Sequence, residues 1–89
     1  MSETDETRLK RLAMRSSRRG IKEMDIILGR YAAARLAGMD GAALDSYEAL
    51  LNENDHDLYQ WVTGQVPAPA PFAALIAEIA DFAGAAARG

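Results

Sequence analysis

Apolar residues recur along this chain in five runs of three- and four-residue spacing, separated by short polar, glycine or proline breaks. That spacing places them on one side of a helix in each run. Leu9, Leu12 and Ala13, set among basic residues, predict a short amphipathic helix ending near Ser17. The longest run, Ile21, Met24, Ile27, Leu28 and Tyr31, continues through Ala32, Ala33, Ala34 and Leu36 and predicts a second helix to about Ala37. Gly38-Met39-Asp40-Gly41 breaks it, and Asp40 is placed to cap a third helix by accepting from a free backbone N–H. That helix carries Leu44, Tyr47, Leu50 and Leu51 inward. The polar stretch Asn52 to Asp57 offers Asp55 or Asp57 as cap for a fourth helix bearing Leu58, Tyr59, Trp61 and Val62, with Trp61 assigned to the core and Gly64 as the stop.

Val66-Pro67-Ala68-Pro69-Ala70-Pro71 reads as a semi-rigid, non-helical connector, because alternate prolines remove donors and push the preceding residues towards extended backbone. Beyond it Phe72, Leu75, Ile76, Ile79 and Phe82 make the stripe of a fifth helix. No segment alternates in the manner of a strand. The expected architecture is all-α, a single small five-helix bundle over residues 8–83, with a disordered acidic N-terminus at 1–7 and a frayed Ala/Gly-rich end at 84–89.

At 89 residues the chain makes one domain, and a domain of this size buries about two-thirds of its unfolded surface, which leaves little room for a deep catalytic pocket. Without cysteine there is no disulfide, zinc finger or thiol nucleophile, and the lone His56 cannot build a histidine-based metal site. No catalytic, cofactor-binding or metal-binding residue is assigned. Ser16 and Ser17 lack a base and are expected at the end of the first helix. Net charge is −3, yet Arg8, Lys10, Arg11, Arg15, Arg18, Arg19 and Lys22, seven of the ten basic residues, fall near the N-terminus. Such a cluster suits phosphates or a protein partner. The acidic remainder, and the lack of a helix-turn-helix or an aromatic-basic platform, favour the protein.

No apolar run approaches the roughly 18–20 residues that span a membrane. The acidic start Met1-Ser2-Glu3-Thr4-Asp5-Glu6 has neither the basic n-region of a secretory signal nor the acid-poor character of a transit peptide. A bacterial cytoplasmic protein is expected, without direct membrane insertion.

Where the basic cluster meets the second helix stands Arg18-Arg19-Gly20-Ile21-Lys22-Glu23-Met24-Asp25. A glycine inside an otherwise helical pattern is costly, so it marks a close approach or an unusual backbone angle. Arg19 and Glu23 are four apart and could present a charge pair on one exposed face. Glu23 alone is equally explained as a favourable charge in the first turn of a helix.

This stretch resembles the SdhE family, the succinate dehydrogenase assembly factor 2 group of flavinylation factors, whose Arg-Gly-x-x-Glu motif is matched by Arg19, Gly20 and Glu23. Met24-Asp25, Leu50-Leu51, Asp55-His56-Asp57-Leu58-Tyr59-Gln60-Trp61 and Pro67-Ala68-Pro69 follow in the family's order, so the resemblance covers about residues 8–82. Ser17-Arg18 and His56 depart from residues frequent in bacterial relatives.

The resemblance implies a helical assembly factor, not an enzyme. It would bind the flavoprotein subunit of succinate dehydrogenase, and in some bacteria that of fumarate reductase, and promote covalent attachment of FAD to a histidine of that subunit. FAD would be attached to the partner and not held by this chain, and no nucleic acid would be involved. Arg19, Gly20 and Glu23 would form the partner-binding face, with Gly20 admitting a close backbone approach. Arg18, Asp25 and Asp57 would join it as rim or capping groups. The rival readings are an interaction module with an unrelated partner and a small nucleic-acid binder acting through Arg8, Lys10, Arg11 and Arg15.

Overall fold

Helix formation starts at Thr4, whose side chain accepts a hydrogen bond from the Thr7 N–H at 3.1 Å and so satisfies a donor that the first turn leaves free. A computed structural model describes residues 4–88, with side chains to residue 84. The first helix, α1, runs Asp5–Ser16 and takes Asp5 and Glu6 into its first turn, where carboxylates favour the positive end of the helix dipole. Residues 5–7, assigned from sequence to the disordered tail, therefore start the helix. Residues 1–3 of that tail lie outside the described residues.

α2 spans Lys22–Arg35 and tightens into a 3-10 turn, Leu36–Gly38. α3, Gly41–Leu51, has the expected cap: Asp40 accepts from the Ala43 N–H at 2.8 Å. Its inward residues are Leu44, Tyr47, Leu50 and Leu51, all buried. α4 covers Asp55–Val62, and here the cap differs from both candidates, because Asn54 accepts from the His56 N–H at 2.8 Å. Asp57 is exposed in the first turn, and the Asp55 carboxylate is used elsewhere. Gly64 ends the helix at φ 81°, a left-handed angle that glycine adopts without steric cost.

The proline connector folds into a second 3-10 turn, Ala70–Phe72, before α5 begins at Ala73 and continues to Arg88. Its last two residues before Phe72 are therefore already turning. Pro71 is tolerated because a first-turn residue needs no backbone donor, and the turn closes with the Phe72 N–H on the Pro69 carbonyl at 2.9 Å. The expected fraying at 84–89 falls mostly on residues whose side chains are outside those described.

The result is the expected all-α arrangement of five helices, with no strand among the described residues. One apolar core joins Leu12 of α1, Met24, Leu28 and Tyr31 of α2, Tyr47 and Leu50 of α3, Leu58 of α4 and Ile76 and Ile79 of α5. Trp61 is only half-buried: it stacks on Phe72 with ring centroids 6.2 Å apart and closes the edge of the core. Two tyrosines bring polar groups inside, and both hydroxyls are satisfied, as buried polar groups must be. Ser16 donates to the Leu12 carbonyl at 2.8 Å, so its oxygen accepts from Tyr47 at 2.5 Å. The Tyr31 hydroxyl donates to the Glu78 carboxylate of α5. Burial pushes both phenols above their ordinary value.

Candidate functional site

Residues 17–21 form the turn between α1 and α2, and their arrangement depends on three charged side chains. Arg19 does not lie on the surface beside Glu23. Its side chain keeps only 9% of its exposure and reaches into the corner between α3 and α4. There Nε donates to Asp55 Oδ1 at 2.5 Å, while the two terminal nitrogens donate to the carbonyls of Leu51 at 3.0 Å and Glu53 at 3.2 Å. Leu51 is the last residue of α3, so a guanidinium closes carbonyls that the helix leaves open, at the end where the dipole favours a cation. Asp55 sits in the first turn of α4, where the same argument favours a carboxylate. One ion pair thus joins the end of one helix to the start of the next.

The other Asp55 oxygen accepts from the Gly20 N–H at 2.5 Å. Gly20 does not have a positive φ; Gly64 alone does among the described glycines. Space is the constraint instead: a Cβ at Gly20 would lie 3.0 Å from Asp55 Oδ2, closer than carbon and oxygen normally rest. Asp25, from the first turn of α2, accepts from the Arg19 N–H. The turn is therefore clasped from two sides, by Asp25 of its own following helix and by Asp55 of a distant one.

What remains outward is different in kind. Arg18, Gly20, Lys22 and Glu23 are exposed, and Asp57 is exposed on the neighbouring helix start. Ile26, one turn beyond Glu23, is 44% exposed, which is unusual for a large apolar side chain in this molecule. Of the six residues singled out from sequence, Arg18, Gly20, Glu23 and Asp57 face solvent, whereas Arg19 and Asp25 hold the turn in place. Ile27, Met24 and Leu28 anchor the inner side of the same helix.

The basic cluster also resolves into paired and outward parts. Arg8 binds Asp45 at 2.6 Å and Glu48 at 3.1 Å, Arg11 binds Glu48 at 2.9 Å, and Arg15 donates to Asn52 at 2.7 Å. The Arg11 hydrogen bond, helped by Arg8, holds the Glu48 carboxyl below its ordinary value, and Asp45 leads in raising that of Arg8. Three of the four residues on which nucleic-acid binding would depend are thus engaged with α3. The outer side of α1 borders a shallow, open concavity of about 550 Å3, with Lys10, Met14, Arg15 and Arg18 on its walls.

A family model described as "Flavinator of succinate dehydrogenase" matches residues 10–83, most of the chain and the whole of the site. The chain belongs to this family. The family resemblance read from the motif is therefore borne out. Among its relatives, the mitochondrial succinate dehydrogenase assembly factor 2 of Meyerozyma guilliermondii is 44% identical over 61 residues, 68% of this chain and 45% of that protein. The corresponding protein of Candida glabrata is 44% identical over 63 residues, 71% of this chain and 41% of its own. That of Mycosarcoma maydis is 38% identical over 72 residues, 81% of this chain and 30% of its own. The chain spans less than half the length of these curated relatives. They also correct one expectation: each is named as a mitochondrial protein and comes from a fungus, which points to the mitochondrion rather than to a bacterial cytoplasm.

Within the flavinator domain, Asp55 is the site residue that sequence reasoning missed, having weighed it only as a helix cap. A signal was present. Asn54 precedes it and can serve as the cap, which leaves Asp55 free for another partner.

Proposed function

We propose that this chain is an assembly factor that binds the flavoprotein subunit of succinate dehydrogenase and promotes covalent attachment of FAD to that subunit. The observation that carries the reading is the family match across residues 10–83, supported by relatives named for succinate dehydrogenase assembly. The role is that of a binding protein and not of an enzyme: the chain holds no FAD of its own, and the bond forms within the partner. A small domain can promote a reaction in a larger one by binding its reactive conformation more tightly than the others.

Arg18, Gly20, Glu23 and Asp57 supply the contact face, and Ile26 adds an apolar residue beside them. Charged hydrogen bonds, donated by Arg18 and accepted by Glu23, give that face direction, since they are stronger than neutral ones. Arg19 and Asp25 serve it indirectly by fixing the turn. The open arrangement of the exposed residues suits a surface that meets another protein.

The test is to produce the flavoprotein subunit with and without this chain, at matched FAD and dicarboxylate, and to read flavin fluorescence in the denatured subunit. Stronger covalent fluorescence with the chain is expected. Equal fluorescence in the two samples overturns the proposal. The fumarate reductase flavoprotein, run in parallel, shows whether it is a second client.

A further inference from the structure

Both carboxylate oxygens of Asp55 serve backbone or side chain of the turn before α2, and neither caps its own helix. Oδ1 accepts from Arg19 Nε at 2.5 Å and Oδ2 from the Gly20 N–H at 2.5 Å. The capping role at α4 is already filled by Asn54. At the start of α2 the cap position is Ile21, which provides no side-chain hydrogen bond, so the direction in which the turn enters that helix is set by groups outside it. Asp25 fixes the Arg19 N–H, and Asp55 fixes the next amide along.

We propose that Asp55 is a positioning residue for partner recognition: by holding Arg19 and the Gly20 amide together, it sets how Arg18 and Glu23 are presented to the flavoprotein. The functional unit then has five members drawn from two places in the chain, Arg18, Arg19, Gly20 and Glu23 from the turn and α2, and Asp55 from α4. On this proposal Gly20 is glycine because a Cβ there would stand 3.0 Å from the Asp55 oxygen and press it out of its hydrogen bond by a few tenths of an ångström. Its small size is then an internal requirement before it is a requirement of the partner. The inference rests on the flavoprotein reading for its partner, but not for its geometry.

The experiment measures affinity of the full chain for the purified flavoprotein subunit, well below the melting temperature. Asp55→Asn keeps the size of the side chain but turns an amide donor against one of the two donors it now receives. Affinity is expected to fall by about tenfold or more, the scale of a lost charge-assisted hydrogen bond. Asp40→Ala, which removes the α3 cap and lowers stability at a distance from the turn, is expected to stay within about twofold of the parent. Equal affinity for Asp55→Asn and the parent, or an equal loss in both variants, overturns the proposal.

A second comparison separates the two explanations of Gly20. Gly20→Ala should weaken binding in the parent but add little in an Asp55→Ala background; full additivity of the two losses overturns the internal explanation. Amide spectra of the free chain complete the test. In Asp55→Asn the resonances of Gly20 and of Lys22 to Met24 should move while those of Ala74 to Ile79 stay in place. If the parent fails to bind the flavoprotein, the functional reading falls, and these spectra decide the positioning on their own: unmoved Lys22 to Met24 amides overturn it.

Discussion

Arginine meets carboxylate in two regions of this molecule, and the regions are built on different principles. At the turn before α2, one guanidinium with 9% side-chain exposure meets one carboxylate with 22%, and its remaining hydrogen bonds go to backbone carbonyls. Between α1 and α3, Arg8 and Arg11 share Glu48, whose side chain keeps 31% of its exposure, and Arg15 lies 4.0 Å from the same carboxylate. The first region concentrates its bonds on fixed backbone groups, so its geometry is specific and its loss leaves orphaned polar atoms. The second distributes charge over several partly exposed side chains, so any one of its arginines can be lost while others still reach Glu48. Identical residue types therefore make a rigid clasp in one place and a forgiving contact in the other.

The largest effect that would break this contrast is expected for Arg19→Ala. It leaves Asp55 Oδ1 and two carbonyls without their donor, at a cost of about 3 kcal/mol, near that of breaking a buried ion pair. For a domain of this size the melting temperature should fall by more than about 10 °C, read by circular dichroism. A change of only a degree or two would place the clasp in the forgiving class. Gly20→Ala comes next, at about 1–2 kcal/mol, because the added methyl would press on Asp55 Oδ2 while Arg19 holds the other oxygen of the same carboxylate. Its cost in thermal melting should shrink when Asp55 is also replaced by Ala.

Glu48→Gln should cost about 0.5–1 kcal/mol, and raised salt should narrow the gap from the parent, as for partly exposed ion pairs. A cost as large as that of Arg19→Ala would erase the distinction. The smallest effect is a difference in acid sensitivity. Glu48 ionises in the folded chain below its ordinary value of 4.5, so its contribution is present above that pH and is lost as pH falls through the lower folded value. The melting temperature of the parent should therefore drop more steeply than that of Glu48→Gln below about pH 4.5, where the unfolded chain takes up the proton first. Parallel acid curves would show that Glu48 gains nothing from its arginines.

Helical periodicity carried most of the fold, since Leu44, Tyr47, Leu50 and Leu51 were read inward and are all buried, and the Asp40 cap follows from local chemistry. It could not carry the clasp. Arg19 and Asp55 are 36 residues apart, and the spacing of a helix says only which residues share its own face. Arg19 was read towards Glu23 because four-residue spacing makes neighbours within a helix; α2 begins at Lys22, so Arg19 lies before the helix and the spacing rule does not reach it. Trp61, expected in the core from its place on the fourth helix, lies at the edge instead, where the connector brings Phe72 over it. The motif itself was legible as a unit. Which of its members face outward was not, because that depends on which distant carboxylate arrives.

The hydroxyl of Tyr31 has a history in time as well as a place in space. Its ring is buried, and the hydrogen bond it donates is accepted by the carboxylate of Glu78, an exposed residue 47 positions later. A ribosome adds residues at about 5–20 per second, so for some seconds the nascent chain holds a tyrosine whose hydroxyl has only water as its acceptor. Only when α5 emerges and docks is that atom answered, and Phe82 of the same helix sets its ring edgewise against Tyr31, centroids 5.7 Å apart. α5 thus acts as the latch of the four helices before it, and a chain cut before Glu78 would carry the motif but not a finished interior.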